Sequence, residues 1–362
     1  MNLTFQKINL RLAREFRTAV ATRTDKQTLW VKVTHDGGEG WGEAVPMDTY
    51  GQTLESASSA LQEMAVLLAD RDPFEVEHIV AALLERFDGQ RAAVCAVDAA
   101  LHDWIGKRLG VPTARMLGLS TKCIPVTSYT IGIADPDKLA ERVRAAAGYP
   151  VLKIKVGTAR DEENLAVIRA TAPKAVIRVD ANTAWSVDET IAKLPMLSKY
   201  GVEFVEQPIT PGDVEGLRRI REAGLQMGRD AGLAGNLCPL VADESCVRPR
   251  DVAALAGCVD GINIKLSKCG GIREALRMIA LARTFEMKVM LGCMIESSLG
   301  IAAALQLAPL VDWLDLDGHL LLSEEPFEGI GGAGGRLTPG RSSGLGVRLR
   351  PVQSDNAQEP AR

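Results

Sequence analysis

The pattern of apolar and polar positions changes rhythm once along the chain, near residue 124. Before that point, TLWVKVTHDGGEGWGEA (28–44) alternates on both sides of Asp36-Gly37-Gly38, which predicts two strands joined by a Gly-containing turn. Three amphipathic helices follow, over about 52–70, 73–87 and 90–109. Asp72-Pro73 opens the second with an N-cap residue and a proline at the first helical position. After residue 124, short β-branched, apolar runs alternate with helical stretches. The runs are VTSYTIG (126–132), VLKIKVG (151–157), VIRVDAN (176–182), VEFVEQP (202–208), LVADES (240–245), GINIKLS (261–267), KVMLGCM (288–294) and WLDLDG (313–318). Eight strands with seven helical stretches between them predict a parallel sheet, and eight units close it into a barrel. From about 324 the chain is Gly-rich and expected to pack back on the N-terminal region. The polar tail QSDNAQEPAR is predicted to be disordered. The expected organisation is an α+β capping domain over 1–122, completed by about 324–352, and an α/β barrel over 123–323, with 353–362 as the tail.

Composition narrows the class without naming a chemistry. The 362 residues suffice for a barrel and a smaller partner domain. A hydrophobic share of 46% and a charged share of 24% are ordinary for a soluble protein. The net charge of −4 gives no basic patch for nucleic acid or an anionic membrane, and no apolar run approaches a bilayer span. MNLTFQKINL has no apolar signal core. The seven cysteines (Cys95, Cys123, Cys238, Cys246, Cys258, Cys269 and Cys293) are odd in number and lack a CxxC pair, which suits reduced thiols. A cytoplasmic enzyme on a small molecule is expected, as a homo-oligomer with no nucleic-acid or membrane partner.

Candidate chemistry gathers at the C-terminal ends of the predicted strands, where a barrel builds its active site. Asp180, Glu206 and Asp243 end the third, fourth and fifth strands. Unpaired, three converging carboxylates would repel strongly. A hard divalent cation resolves that repulsion, and all-oxygen ligation favours Mg²⁺ or Mn²⁺ over zinc. The plainer alternative makes each acid a separate helix cap or surface charge. Lys153 and Lys155, two apart on the second strand, share an inward face. Lys265 ends the sixth strand, opposite the second. Next to each other and a cation, these lysines are expected to be depressed, making one a usable base; the competing reading is that they form salt bridges to the same acids. Two lysines on opposite faces of one carbon can remove a proton and return one to the far face, which is racemisation or epimerisation. The intermediate beside a carboxylate is an enediolate, whose charge a divalent cation stabilises.

The motifs KIK (153–155), DAN (180–182), EQP (206–208), ADES (242–245) and NIKLSKCGG (263–271), with FRTA (16–19) and GWGEA (40–44), resemble the muconate-lactonising subgroup of the enolase superfamily over nearly the whole chain. The resemblance implies a (β/α)7β modified TIM barrel under a cap built from both chain ends, and a catalytic Mg²⁺. It makes Lys155 and Lys265 the acid/base pair, and Lys153 the group that polarises the substrate carboxylate. Asp315 and Asp317 in the eighth strand resemble the D-x-D of the dipeptide epimerases, implying a site for a dipeptide's α-ammonium; the alternative is a turn cap and a pair with a barrel arginine. GCMIES (292–297) matches the same group. Thr130, Met294 and Ile295 complete the expected substrate contacts. Ala21 stands where relatives acting on Ala-Glu place an arginine, with Arg17 and Arg23 nearby, and Ile295 stands where relatives acting on cationic dipeptides place an acid. The first weakens a glutamate-directed substrate without excluding it; the second argues against a basic side chain and is compatible with an apolar one. Another muconate-lactonising-type reaction (muconate cycloisomerase, o-succinylbenzoate synthase or N-acylamino acid racemase) is the alternative.

Four smaller expectations complete the picture. The 37 residues from Glu206 to Asp243, against 26 from Asp180 to Glu206, predict a mobile loop over 224–238. Trp185 either shelters the metal or packs on a helix. His319 is read as a loop residue near the site and His102 as structural. Lys268 is read as a loop residue without a catalytic part, and Gly270-Gly271 as too weak a signal for a phosphate site.

Overall fold

The structure is a computed structural model and describes residues 1–351; the tail predicted to be disordered lies outside the described residues. The cap opens with an antiparallel sheet of β1 (Asn2–Arg17), β2 (Thr22–His35) and β3 (Gly38–Ala44), in that order. The two predicted strands correspond to β2 and β3. β1 was not foreseen; it is an edge strand that fully buries only Leu3 and Leu10, with Phe5 and Ile8 half-buried and polar residues interspersed. Helices α1 (Leu54–Leu68), α2 (Val76–Arg86), α3 (Arg91–Leu109) and the single turn α4 (Thr113–Met116) follow. Asp72 does cap as expected, accepting from Phe74 N at 2.9 Å, but Pro73–Glu75 form a 3-10 turn before α2 begins.

α3 is buried on nearly every side, since the cap sheet lies against it on one face and the barrel on the other. Close approach to β3 depends on glycine: a Cβ at Gly42 would collide with the carbonyl oxygen of Ala96. Gly42→Ala is therefore expected to cost about 3 kcal/mol, because the obstacle is backbone and cannot rotate away. Urea denaturation measures it; a midpoint equal to the parent's would show that the sheet can lift off α3.

The barrel runs β4 (Tyr129–Ile131), α5 (Pro136–Ala145), β5 (Val151–Lys155), α6 (Asp161–Thr171), β6 (Val176–Asp180), α7 (Val187–Lys199), β7 (Val202–Glu206), α8 (Val214–Asp230), β8 (Leu240–Ala242), α9 (Pro249–Leu255), β9 (Gly261–Lys265), α10 (Leu266–Cys269), α11 (Ile272–Thr284), β10 (Lys288–Gly292), α12 (Ser298–Leu305) and β11 (Trp313–Asp315). The eight strands pair in parallel from β4 through to β11, and a parallel bridge between Thr127 and Leu314 joins the two ends. This is the (β/α)7β barrel, with α10 as a short extra turn. Among the described residues no helix is long and apolar enough to cross a membrane.

The extra length between Glu206 and Asp243 is not a loop at the site. Residues 224–230 continue α8, and 231–239 fold back along it, with Leu237 N bonded to Gly224 O at 3.0 Å and Asn236 Nδ2 to Asp260 at 3.0 Å. This connection leads from a helix into a strand, so it lies on the N-terminal face, opposite the mouth. Gly224 and Gly228 are buried contact points where the returning chain passes.

The C-terminal segment closes the cap. β12 (Phe327–Glu328) pairs with β13 (Arg348–Leu349), and Phe327 meets the edge of Trp30 at a ring separation of 4.8 Å. Leu345 N donates to buried Asp103 on α3 at 2.8 Å. Cap and barrel are joined by polar contacts as well as apolar ones. Glu43 accepts from Ser297 N, Ser297 Oγ and Gly300 N at the start of α12. Asp98 on α3 accepts from Ile272 N, at the start of α11, at 2.5 Å. Gly271 has φ 118° there, and a side chain at that position would strike Asp98, so Gly270-Gly271 serves the cap–barrel joint.

Candidate active site

Strand register sets the layer of groups at the mouth. Lys155 pairs with Asp180, and Asp180 with Glu206, so the three stand level at the ends of β5, β6 and β7. Lys265 and Asp315 are both level with Gly292 on β10. β5 and β9 face each other across the barrel, with β6, β7 and β8 between them on one side. Asp243 follows the last residue of β8, and Asp317 lies two residues past β11, at the start of a 3-10 turn.

The acids and lysines are interlocked. Lys155 Nζ is 2.6 Å from Asp180 Oδ2, and Lys265 Nζ is 2.6 Å from Asp243 Oδ2. Lys153 stands among Asp315 (2.7 Å), Glu206 (2.7 Å) and Asp180 (3.1 Å). Asp180, Glu206 and Asp243 are all fully buried. Both sequence readings of the lysines therefore apply at once: they sit at opposing strand ends, and they pair with the acids. Among the described residues no three acidic, His or Cys side chains are gathered tightly enough to form a finished cation cage, because each carboxylate turns toward a lysine.

The residues present nevertheless fit a hard divalent cation. Glu206 Oε2 has no hydrogen-bond partner, since the nearby Lys153 Nζ is at 2.7 Å but poorly aligned; Glu244 Oε2 and Asn182 Oδ1 are likewise buried and unpartnered. Orphaned buried oxygens beside three carboxylates are costly unless a cation takes them. The titrations agree. Burial, with Asp180 next to it, pushes Glu206 up to about 8. Burial also pushes Asp180 up, but Lys155 and Lys153 outweigh it and hold it at about 2.

The acids in contact set the direction for two of the lysines. Burial does push Lys265 down, but Asp243 raises it further, and its net displacement is well upward. Lys153 is raised too, by Asp315, Glu206 and Asp180 against burial. A carboxylate in contact stabilises an ammonium more than two neighbouring lysines destabilise it.

The mouth opens into a cavity of about 170 Å³, roofed by the cap. Lys153, Lys155, Lys265, Asp315, Asp317, Thr130, Met294 and Ile295 all line it, so every predicted lysine and substrate contact faces one space. Asp317 accepts from Thr130 N at 2.5 Å, and burial together with Asp315 pushes it up to about 6. Asp315 is displaced downward: burial raises it, and Lys153 more than offsets that. Trp185 does not line the cavity; its buried indole donates to Asp161, the first residue of α6, at 3.3 Å. His319 does not line it either, although Gly318 and Leu321 beside it do. His102 is buried against Asp98 on α3.

Several members of the site were missed or misread. Lys268 is fully buried, 2.6 Å from both Asp243 O and Asp243 Oδ1 and 2.8 Å from Asn263 O. The turn α10 carries it back beneath Asp243, and the Lys265–Lys268 spacing of one helical turn was the available signal. Asn263, two residues before Lys265 on the same face, donates to Glu206 at 2.8 Å. Phe16, Lys26, Met47, Thr49 and Tyr50 enter from the cap; nothing local in the sequence marks them.

The family comparison follows this geometry closely. The N-terminal domain of mandelate racemase and muconate lactonizing enzyme matches residues 2–118, and the enolase C-terminal-like domain matches residues 136–353. The chain belongs to the enolase superfamily. An L-Ala-D/L-Glu epimerase from Bacteroides thetaiotaomicron is 36% identical over 96% of this chain and 88% of its own length. An L-Ala-D/L-amino acid epimerase from Maribacter sp. is 36% identical over 96% of this chain and 99% of its own. Among solved structures, a dipeptide epimerase from Enterococcus faecalis V583, complexed with Mg and L-Leu-L-Tyr, superposes with a TM-score of 0.88 at 30% identity, covering 96% of this chain and 98% of that one. These superfamily relatives span both cap and barrel.

Proposed function

We propose that the chain is a Mg²⁺-dependent dipeptide epimerase that inverts the α-carbon of the C-terminal residue of an L,L-dipeptide. The observation that carries this reading is that Asp315 and Asp317 line the same cavity as Lys155 and Lys265. An α-ammonium held by the two aspartates would stand one peptide unit from a carbon flanked by the two lysines. Relatives acting on dipeptides support the same reaction.

The chemistry then follows from the chain's own groups. One lysine Nζ enters as the neutral amine and takes the α-proton; the other, as ammonium, returns a proton to the opposite face. Asp180, Glu206 and Asp243 are the residues that would hold Mg²⁺, which when bound offsets the enediolate charge. Lys153 keeps a fixed positive charge beside that position. The cap excludes water from the mouth, strengthening each of these interactions. All seven cysteines are free thiols, which supports the cytoplasm as compartment.

Deuterium uptake at the α-carbon, read by mass spectrometry over an L,L-dipeptide library with Mg²⁺ in D₂O, tests the reading directly; no uptake with any dipeptide removes it. The ammonium site has its own test. Asp315 is engaged with Lys153 and Ser128, so its removal would disturb more than substrate. Among the described residues Asp317 is held by Thr130 alone. Asp317→Asn is expected to lower kcat/KM on a dipeptide about 10- to 100-fold, the usual scale for a buried charged hydrogen bond. Unchanged kcat/KM would favour an N-acylated substrate, which has no ammonium to bind.

A further inference from the structure

Among the lysines lining the cavity, Lys26 differs from the rest. Lys153, Lys155 and Lys265 each contact a carboxylate. Lys26 lies on β2 opposite Leu10, is only 9% exposed, and makes no salt bridge among the described residues. Its Nζ donates to Pro46 O at 2.7 Å and reaches Met47 Sδ at 3.3 Å. An ammonium has three donors, so a neutral carbonyl and a weak sulfur acceptor leave it poorly satisfied. Lysines are rarely buried without an acid, because the charge loses its hydration. Burial, with Arg23 nearby, accordingly holds Lys26 down at about 8. Arg23 lines the same cavity.

Resting on the dipeptide reading, the geometry of the reacting carbon says which part of the substrate meets this lysine. Four substituents leave that carbon. The proton lies on the axis between Lys155 and Lys265. The carboxylate lies toward the three acids on β6, β7 and beyond β8. The amide nitrogen leads toward Asp315 and Asp317 on the β11 side. Only the side chain remains, and only the cap is left to receive it. Met47, whose sulfur is 3.3 Å from Lys26 Nζ, and Ile295 line the same cavity and offer apolar contact to methylene groups.

We propose that Lys26 binds a carboxylate on the side chain of the residue being inverted, so that the preferred dipeptides end in glutamate or aspartate. The apolar surface of Ile295 then packs the methylene stem instead of marking an apolar substrate. The absence of an arginine at Ala21 is made good from a different strand position, five residues further along β2.

The test compares three series of L,L-dipeptides, X-Glu, X-Gln and X-Met, with the first residue X varied, by α-proton exchange in D₂O with Mg²⁺. Glutamate and glutamine are nearly isosteric, so their ratio isolates the charge. The parent enzyme is expected to favour X-Glu over X-Gln by about 10- to 100-fold in kcat/KM. Lys26→Met is expected to bring that ratio close to one, and Lys26→Arg to restore part of it. A merely structural Lys26, stapling Pro46 in place, would lower every substrate alike and leave the ratio intact. A parent enzyme that uses X-Gln or X-Met as well as X-Glu overturns the proposal while the dipeptide reading stands, as does a Glu/Gln ratio that survives in Lys26→Met. No exchange in any series removes both.

Discussion

Lys155→Ala and Lys265→Ala are each expected to abolish epimerisation, with kcat falling about 10²- to 10⁴-fold or more, while each variant still exchanges the α-proton of one epimer. The reason is geometric. Lys155 ends β5 and Lys265 ends β9, on opposite sides of the mouth. Each can reach only one face of a carbon held between them. Removing one leaves the other able to take a proton from its own face and return it there, so isotope washes in without inversion. The two variants should therefore be mirror images: one exchanges only L,L substrate, the other only L,D. NMR of the α-proton in D₂O, started separately from each epimer, decides the matter. Loss of exchange from both epimers in both variants would mean that the lysines act as a structural pair, and residual inversion in either would mean that a third group supplies a proton.

Glu206→Gln should be the more damaging substitution among the acids. Glu206 is fully buried, accepts from Asn263 through Oε1, and leaves Oε2 without a partner. Glutamine preserves size but replaces an anionic oxygen with either a neutral one or a donor. Activity is expected to fall by at least about 10³-fold, on the scale of losing a Lewis acid worth several kcal/mol. Chelation of the parent enzyme should do the same and be reversed by Mg²⁺, whereas excess Mg²⁺ should not rescue the variant at equal concentration. Titration calorimetry with Mg²⁺ gives a reading independent of turnover. Parent-like Mg²⁺ affinity in Glu206→Gln would exclude this carboxylate as a ligand.

How much of this was readable in advance depended on how regular the carrier was. Asp180, Glu206, Lys155 and Lys265 occupy equivalent positions at the ends of consecutive or opposing strands, and period-two alternation fixes where such residues point. The barrel was readable for the same reason: strand and helix alternate with short connections. β1 escaped because its apolar residues, Leu3, Phe5, Ile8, Leu10 and Leu12, break strict alternation at Lys7 and are mostly only half-buried on an edge strand. The segment at 224–238 misled because the spacing between the acids reports only extra length, not that α8 takes up part of it and the chain then folds back along that helix. Lys268 was misplaced because a single helical turn, too short to carry a period, returns it under Asp243. Lys26 and Tyr50 could not have been assigned locally at all, since only the docking of the cap brings them over the mouth.

The bond from Leu345 N to Asp103 spans 242 residues of chain, and Phe327 reaches back to Trp30 in the same way. During synthesis the N-terminal sheet and helices emerge first and must wait, with their apolar face uncovered, until the whole barrel and the last strand have left the ribosome. The wall of the cavity that carries Lys26 and Tyr50 is therefore the earliest part made and the last part secured. A nascent chain can hold Asp180, Glu206, Asp243 and both lysines in a folded barrel and still lack a closed chamber around them.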